Sequence, residues 1–282
     1  MQPAEIAKAI AKGGNVQAIS DRTNFVFRVW REHETAIVKV YSSLGRERRE
    51  RRALEALAGM QGVPRVLGRK SDADPPWVVF ADAGSWNLAT LTGNLVAARR
   101  AGEILRGIHE ASPGDLSNLA AGMDSHSIGV DFIASFQRLG RYRRKLGISQ
   151  DLLDVAMETE PPSAGEPRTA HTRPGPESFI VAENGEVTLV GWGWATLAPP
   201  EWDFTYALWR AHLVMGAAGA DAFAEGYGRT LGADELRRWF AYHAGQALLT
   251  EAETQEGRLD YLRDLIVSLE ESLANTRLTS LG

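Results

Sequence analysis

The chain has 282 residues, 44% hydrophobic and 24% charged, a globular composition that excludes a disordered or fibrous polypeptide and leaves room for two lobes sharing a cleft. A formal charge of -5, from 31 basic and 36 acidic residues, provides no global attraction to nucleic acid or to an anionic membrane. Cysteine is absent, which excludes disulfides, thiolate metal sites and a cysteine nucleophile and suits a cytoplasmic location.

Residues 1–14, MQPAEIAKAIAKGG, place Glu5, Lys8 and Lys12 where a signal peptide needs an apolar run. No later stretch reaches the roughly 18–20 uncharged apolar residues of a membrane span. The opening segment reads instead as a short amphipathic helix ended by Gly13-Gly14. NFVFRVW (24–30) and TAIVKVY (35–41) are rich in β-branched and aromatic residues and predict a hairpin across the polar REHE. LGRERRERRALEALAG (44–59) predicts a helix closing on glycine. Its arginines, Arg46, Arg48, Arg49, Arg51 and Arg52, are interleaved with Glu47 and Glu50, the pattern of a solvated helix more than of a nucleic-acid patch.

GVPRVLG (62–68) and PPWVVFADAG (75–84) predict two further strands, punctuated by Pro64, Pro75-Pro76 and Gly84. Residues 1–84 thus read as a small, mostly antiparallel lobe, and residues 85–282 as a helical lobe with a loop and hairpin region at 165–195. In the second lobe, LVAARRAGEILRGIHEA sets Ala101, Leu105 and Ile108 on one helical face, and VDFIASFQRLGRYRRKLG forms another helix. The Pro- and Gly-rich segment 158–178 leads into SFIVAENGEVTLVGW, a hairpin whose Asn184-Gly185 predicts a type I′ turn. From Trp202 to Leu278 the chain reads as helical, with an apolar stripe of Leu259, Leu262, Leu265, Ile266, Leu269 and Leu273 that reads as core. Six scattered histidines lack metal-ligand spacing, and neither a glycine-rich phosphate loop nor a Walker signature is present.

The segments TNFVFRV, AIVKVY, RERRALEALAGMQGVPRVLG, AGEILRGIH and VTLVGWGWATLAPPEWDFTYALW resemble, in order and spacing, the aminoglycoside phosphotransferase and choline kinase family over roughly residues 15–210. The resemblance implies an α+β, two-lobed protein-kinase-like fold with a small antiparallel-sheet N-lobe and a larger, mainly helical C-lobe. It also implies that the lobe of residues 1–84 is of nucleotide-binding type, that Lys39 aims at nucleotide phosphates and that Glu50 pairs with it. Asp203 matches a structural aspartate that braces the catalytic loop, and His171 reads as structural in that loop, as His109 does in its helix.

The same resemblance exposes three departures. Arg173 stands where the family has its catalytic aspartate, Ser178 where an asparagine would bind metal, and Gly191 where the main carboxylate for Mg²⁺ would be. A guanidinium offers only hydrogen-bond donors and stays protonated, so it cannot act as a base. The expectation is a pseudokinase: a phosphotransferase-like protein that does not transfer phosphate and acts by binding or regulation. An enzyme of altered chemistry, with Glu177 or Glu201 replacing lost groups, and a small-molecule sequestering protein are the alternatives. No metal site and no definite cofactor are expected. Lys39, Glu50 and Arg173 are the nucleotide or anion-binding candidates, with ATP or ADP held without Mg²⁺. The partner is a small molecule or nucleotide in the cleft, or a protein, and neither nucleic acid nor membrane.

Overall fold

The computed structural model describes residues 1–19, 24–32, 34–111, 122–254 and 259–274. Within it the apolar alternation of the first 84 residues builds a five-stranded antiparallel sheet. Its strands β1 (Val16–Ile19), β2 (Asn24–Trp30), β3 (Thr35–Tyr41), β4 (Val66–Lys70) and β5 (Trp77–Ala81) lie in the order β1-β2-β3-β5-β4. The expected hairpin pairs Asn24 with Tyr41 and Trp30 with Thr35. Side chains alternate across the sheet. Phe27, Val29, Ala36, Val38 and Val40 therefore share one face, which α1 (Pro3–Ala11) covers with Ile6, Ala7 and Ala11. Ile37, Lys39 and Tyr41 take the opposite face.

That second face meets α2 (Leu44–Ala56), capped by the Ser43 hydroxyl, which accepts from the Arg46 amide. The solvated-helix expectation holds for the exposed Arg48 and Arg52 but not for Glu47 and Glu50, which are buried. Glu47 accepts from the Ser71 hydroxyl at 2.6 Å and lies 3.5 Å from Arg51. Positions 47, 50 and 54 fall on the helix face turned to the sheet, so two carboxylates are buried where the sequence showed only alternating charge.

The helices that follow are α3 (Leu95–Glu110), α4 (Ser125–Leu146), α5 (Gln150–Glu158), α6 (Pro200–Tyr227), α7 (Ala233–Thr254) and α8 (Leu259–Leu273). None is long and apolar enough to cross a membrane. Short strands β6 (Trp86–Asn87), β7 (Arg168–Ala170), β8 (Phe179–Val181), β9 (Val187–Leu189) and β10 (Thr196–Ala198) form a β6-β8-β9 sheet and a β7-β10 pair. One core runs from Tyr41, Leu54 and Phe80 through Ile104, Leu105 and Ile108 to Leu189 and Trp192, so the sheet and the helical region share it. A second core joins α4, α5, α7 and α8 through Phe132, Trp239, Leu265, Leu269 and Leu273. The side chain of Leu259 lies outside the described residues.

The hairpin turn differs from expectation. A type I′ turn needs positive φ at both central residues, and here only Gly185 has it, at 82°. The Gly185 amide donates to the Ala182 carbonyl (3.0 Å) and the Ala182 amide to the Glu186 carbonyl (2.9 Å). This is the three-residue loop in which a type I turn is closed by a left-handed glycine. The Asn184 side chain supports it by accepting from the Glu186 amide at 3.0 Å.

α3 and α6 cross at close range. A Cβ on Gly226 would lie 1.8 Å from the Arg99 carbonyl oxygen, and one on Gly102 would lie 2.1 Å from that of Phe223. Neither neighbour is a side chain that could swing away. Gly226→Ala is expected to destabilise by about 1–3 kcal/mol through overpacking, although alanine favours helix. A urea midpoint equal to the parent's would show that the crossing has room to relax.

Candidate functional site

The site is organised by the first turn of α6, where Pro200 at the helix start presents Asp203 inward, with none of its surface exposed. Asp203 Oδ2 accepts from the His171 amide at 2.6 Å and Oδ1 from the Thr172 amide at 2.7 Å. His109 Nε2 lies 3.4 Å from Oδ2, and its Nδ1 lies 2.8 Å from the Tyr227 hydroxyl. A carboxylate only accepts, so Nε2–H is the group that faces Asp203, and burial raises the pKa of the Tyr227 hydroxyl beside Nδ1. Both carboxylate oxygens of the aspartate thus hold the backbone of residues 171 and 172.

His171 is 2% exposed, stands edge-on to Trp192, and donates from Nε2 to the Val190 carbonyl at 2.8 Å. Burial pushes its pKa below the ordinary histidine value, which keeps the ring neutral. Thr172 has φ 75°, a left-handed conformation that β-branched residues avoid. It is pinned by Asp203, by its own hydroxyl on the Trp194 carbonyl (3.3 Å) and by the Trp202 indole N–H on its carbonyl (3.1 Å).

From this loop Arg173 projects into the open. Its guanidinium lies 5.4 Å from the Trp194 ring centroid, and it forms no ion pair among the described residues. Glu177 instead pairs with Arg210 at 3.4 Å. The Ser178 hydroxyl faces the Arg173 carbonyl at 3.4 Å, and Gly191, at φ 94°, lies against His171. Arg173, Ser178, Gly191 and His171 share the wall of a cavity of about 1010 Å³ with Trp194, Tyr206 and Asp131, among others.

Lys39 and Glu50 are not in that wall. They form a buried pair at 2.8 Å, with Lys39 Nζ also 5.3 Å from the Tyr41 ring centroid. Burial, then the Glu50 carboxylate, raises the Tyr41 pKa. The pair reaches the cavity segment through Gly193, where a Cβ would lie 3.7 Å from Glu50 Oε2.

Sequence reasoning did not single out two parts of the site. One is Trp194, against which Arg46 and Arg49 also lie, at 4.8 and 5.4 Å from its centroid. The three-residue spacing of those arginines, which sets them on one helix face, was the available signal. The other is the helical wall, where Asp131 on α4 accepts from the Tyr242 hydroxyl at 2.5 Å and from the Gln246 amide. Tyr206 stands in the same wall, its pKa pushed up by burial to about 12.

A family profile described as "Phosphotransferase enzyme family" matches residues 15–248. Among curated proteins, none matches the sequence. Among solved structures, the choline kinase LicA from Streptococcus pneumoniae is similar with a TM-score of 0.65 at 16% identity, over 96% of this chain and 99% of that one. An aminoglycoside phosphotransferase, APH(4)-Ia in complex with ADP and hygromycin B, is similar with a TM-score of 0.70 at 14% identity, over 96% and 97%. A choline/ethanolamine kinase family protein from Mesorhizobium loti is similar with a TM-score of 0.63 at 14% identity, over 97% and 94%. These likenesses extend the α+β, kinase-like architecture to the whole described chain, and with a profile match spanning most of its length the chain belongs to the phosphotransferase enzyme family.

Proposed function

We propose that this chain binds an anionic small molecule in its cleft without Mg²⁺ and does not transfer phosphate. The observation that carries the reading is the side chain at the base position: Arg173, a permanent cation, extends into the cavity where the family resemblance calls for a carboxylate. A divalent cation in such a family would screen and orient the transferred phosphate, and hard cations of that kind are held mainly by carboxylate oxygens. The residues here do not fit one. Gly191 has no side chain, Ser178 offers a hydroxyl, both oxygens of Asp203 accept backbone N–H groups, and Glu177 is paired with Arg210. Among the described residues no three His, Asp or Glu side chains converge.

The altered-chemistry alternative would need a new base. Glu177 faces Arg210, and Glu201 is buried, paired with Arg229 at 2.7 Å and accepting from the Gly165 amide at 3.1 Å. A sequestering role is favoured by the size of the cavity, which matches that of small-molecule sites.

Purified protein incubated with ATP, Mg²⁺ and aminoglycosides or choline is expected to give no phosphorylated product above background. Calorimetry with ATP and ADP in EDTA is expected to show any nucleotide binding undiminished by removal of the metal and weakened by salt. Mg²⁺-dependent turnover that survives Arg173→Ala would refute the reading and favour altered chemistry.

A further inference from the structure

The arginine run of α2 meets the cleft at one ring. Arg46, Arg49 and Arg173 lie 4.8, 5.4 and 5.4 Å from the Trp194 centroid, two contributed by the helix and one by the loop that Asp203 holds. The approach is built into the packing, because a Cβ on Gly193 would sit 3.8 Å from Arg46 Cβ. Each cation is attracted by the indole face, while like charges gathered on one ring repel one another. An oxyanion among them would replace that repulsion with paired hydrogen bonds, since forked guanidinium donors match phosphate oxygens.

Arg49 and Arg173 have no carboxylate partner among the described residues, and Arg49 Nε donates to the Gly45 carbonyl at 3.4 Å. Lys39, the other cation named for this role, has its charge matched by Glu50 at 2.8 Å. Arg173 and Trp194 belong to the wall of the large cavity, which also carries Asp131, Gln246, Glu251, Tyr206 and Tyr261. Carboxylate, amide and phenol groups of this kind accept from and donate to hydroxyl and amino groups.

We infer that the arginine cluster on Trp194 is the phosphate-binding end of this cavity. The ligand is a small phosphate monoester bearing hydroxyl or amino groups, bound whole and neither formed nor cleaved. This rests on the metal-free anion reading and narrows it, moving the anion from Lys39 to Trp194 and the ligand from a nucleotide to a phosphorylated polar metabolite.

The test is calorimetry in EDTA with inorganic phosphate, glucosamine 6-phosphate, glucosamine and ATP, on the parent and on Arg49→Ala, Arg173→Ala and Arg48→Ala. Glucosamine 6-phosphate is expected to bind at least about tenfold more tightly than glucosamine, as a charge-assisted contact is lost without the phosphate. Arg49→Ala and Arg173→Ala are each expected to weaken inorganic phosphate and glucosamine 6-phosphate by about tenfold, and Arg48→Ala, on the exposed side of the helix, to leave both unchanged. Thermal melts of the variants report whether each remains folded. If phosphate binds in EDTA but Arg49→Ala and Arg173→Ala bind it like the parent, the anion sits elsewhere in the cleft. This inference then falls and the metal-free reading stands. Anion binding that appears only with Mg²⁺ refutes the metal-free reading itself, and failure of every probe with or without metal refutes both.

Discussion

Replacing Asp203 by alanine is expected to lower the free energy of unfolding by about 3–5 kcal/mol, the loss typical of a buried charged partner. The carboxylate is wholly buried and accepts from two consecutive backbone amides at 2.6 and 2.7 Å, with the His109 ring beside it. Alanine would strand both N–H groups away from water. It would also free Thr172 from the contact that holds its left-handed backbone. Asp203→Asn keeps one oxygen acceptor and is expected to lose about half as much, since hydrogen bonds to a charged acceptor are about twice as strong as neutral ones. Urea denaturation of the three proteins measures the series. A loss below about 1 kcal/mol for alanine would mean that the loop holds its shape without the aspartate.

Acidification is the second large effect, and His243 sets its sign. The ring is 3% exposed and stacks between the indoles of Trp209 and Trp239, with centroids 6.0 and 5.6 Å away. The Thr205 hydroxyl gives its proton to the Glu201 carbonyl at 2.6 Å, so Nε2–H of a neutral imidazole donates to Thr205 Oγ1 at 2.9 Å. Burial pushes the His243 pKa down from 6.5 to about 3. The unfolded chain therefore binds a proton that the folded one refuses, and stability falls as pH drops from 6.5 toward 3. The slope for one such histidine is about 1.4 kcal/mol per pH unit, or roughly 2–3 kcal/mol by pH 4.5. His171, also lowered by burial, adds to the loss with the same sign. Urea midpoints at several pH values for the parent and His243→Phe would check this. An equally steep acid limb in the phenylalanine variant would assign the loss to other groups.

Much of the fold was legible because it follows from periodicity. The alternation in 24–41 gave the β2-β3 hairpin, and the face of Ala101, Leu105 and Ile108 gave α3 its buried side. β1 was not legible, because VQAI has no buried residue to reveal a pattern. Nor was the burial of Glu47 and Glu50, since a helix of alternating charge looks solvated until its sheet-facing side is known. Asn184-Gly185 marked a turn but not its type, which depended on a side-chain bond to the Glu186 amide.

In the candidate site, Lys39, Glu50, Arg173, Ser178, Gly191 and Asp203 were nameable only by resemblance to a family. The pairing of Lys39 with Glu50 was implied by that resemblance, whereas the distances and the placement of Arg173 against Trp194 come from three-dimensional packing. Arg46 and Arg49 were visible as charges on one helix face, but what that face meets was not, because their target, Trp194, is 145 or more residues away along the chain.

α6 is broken at Gly216, where φ 73° and ψ −176° leave the helical region. The segment before the break carries Trp202, Tyr206 and Arg210 in the cavity wall, and the segment after it carries Gly226, pressed on the α3 backbone. An unbroken rod of 28 residues would transmit any tilt of the wall into that crossing, which has no slack. The joint lets the two segments point along different axes, so the wall segment is not bound to the direction that the α3 crossing sets.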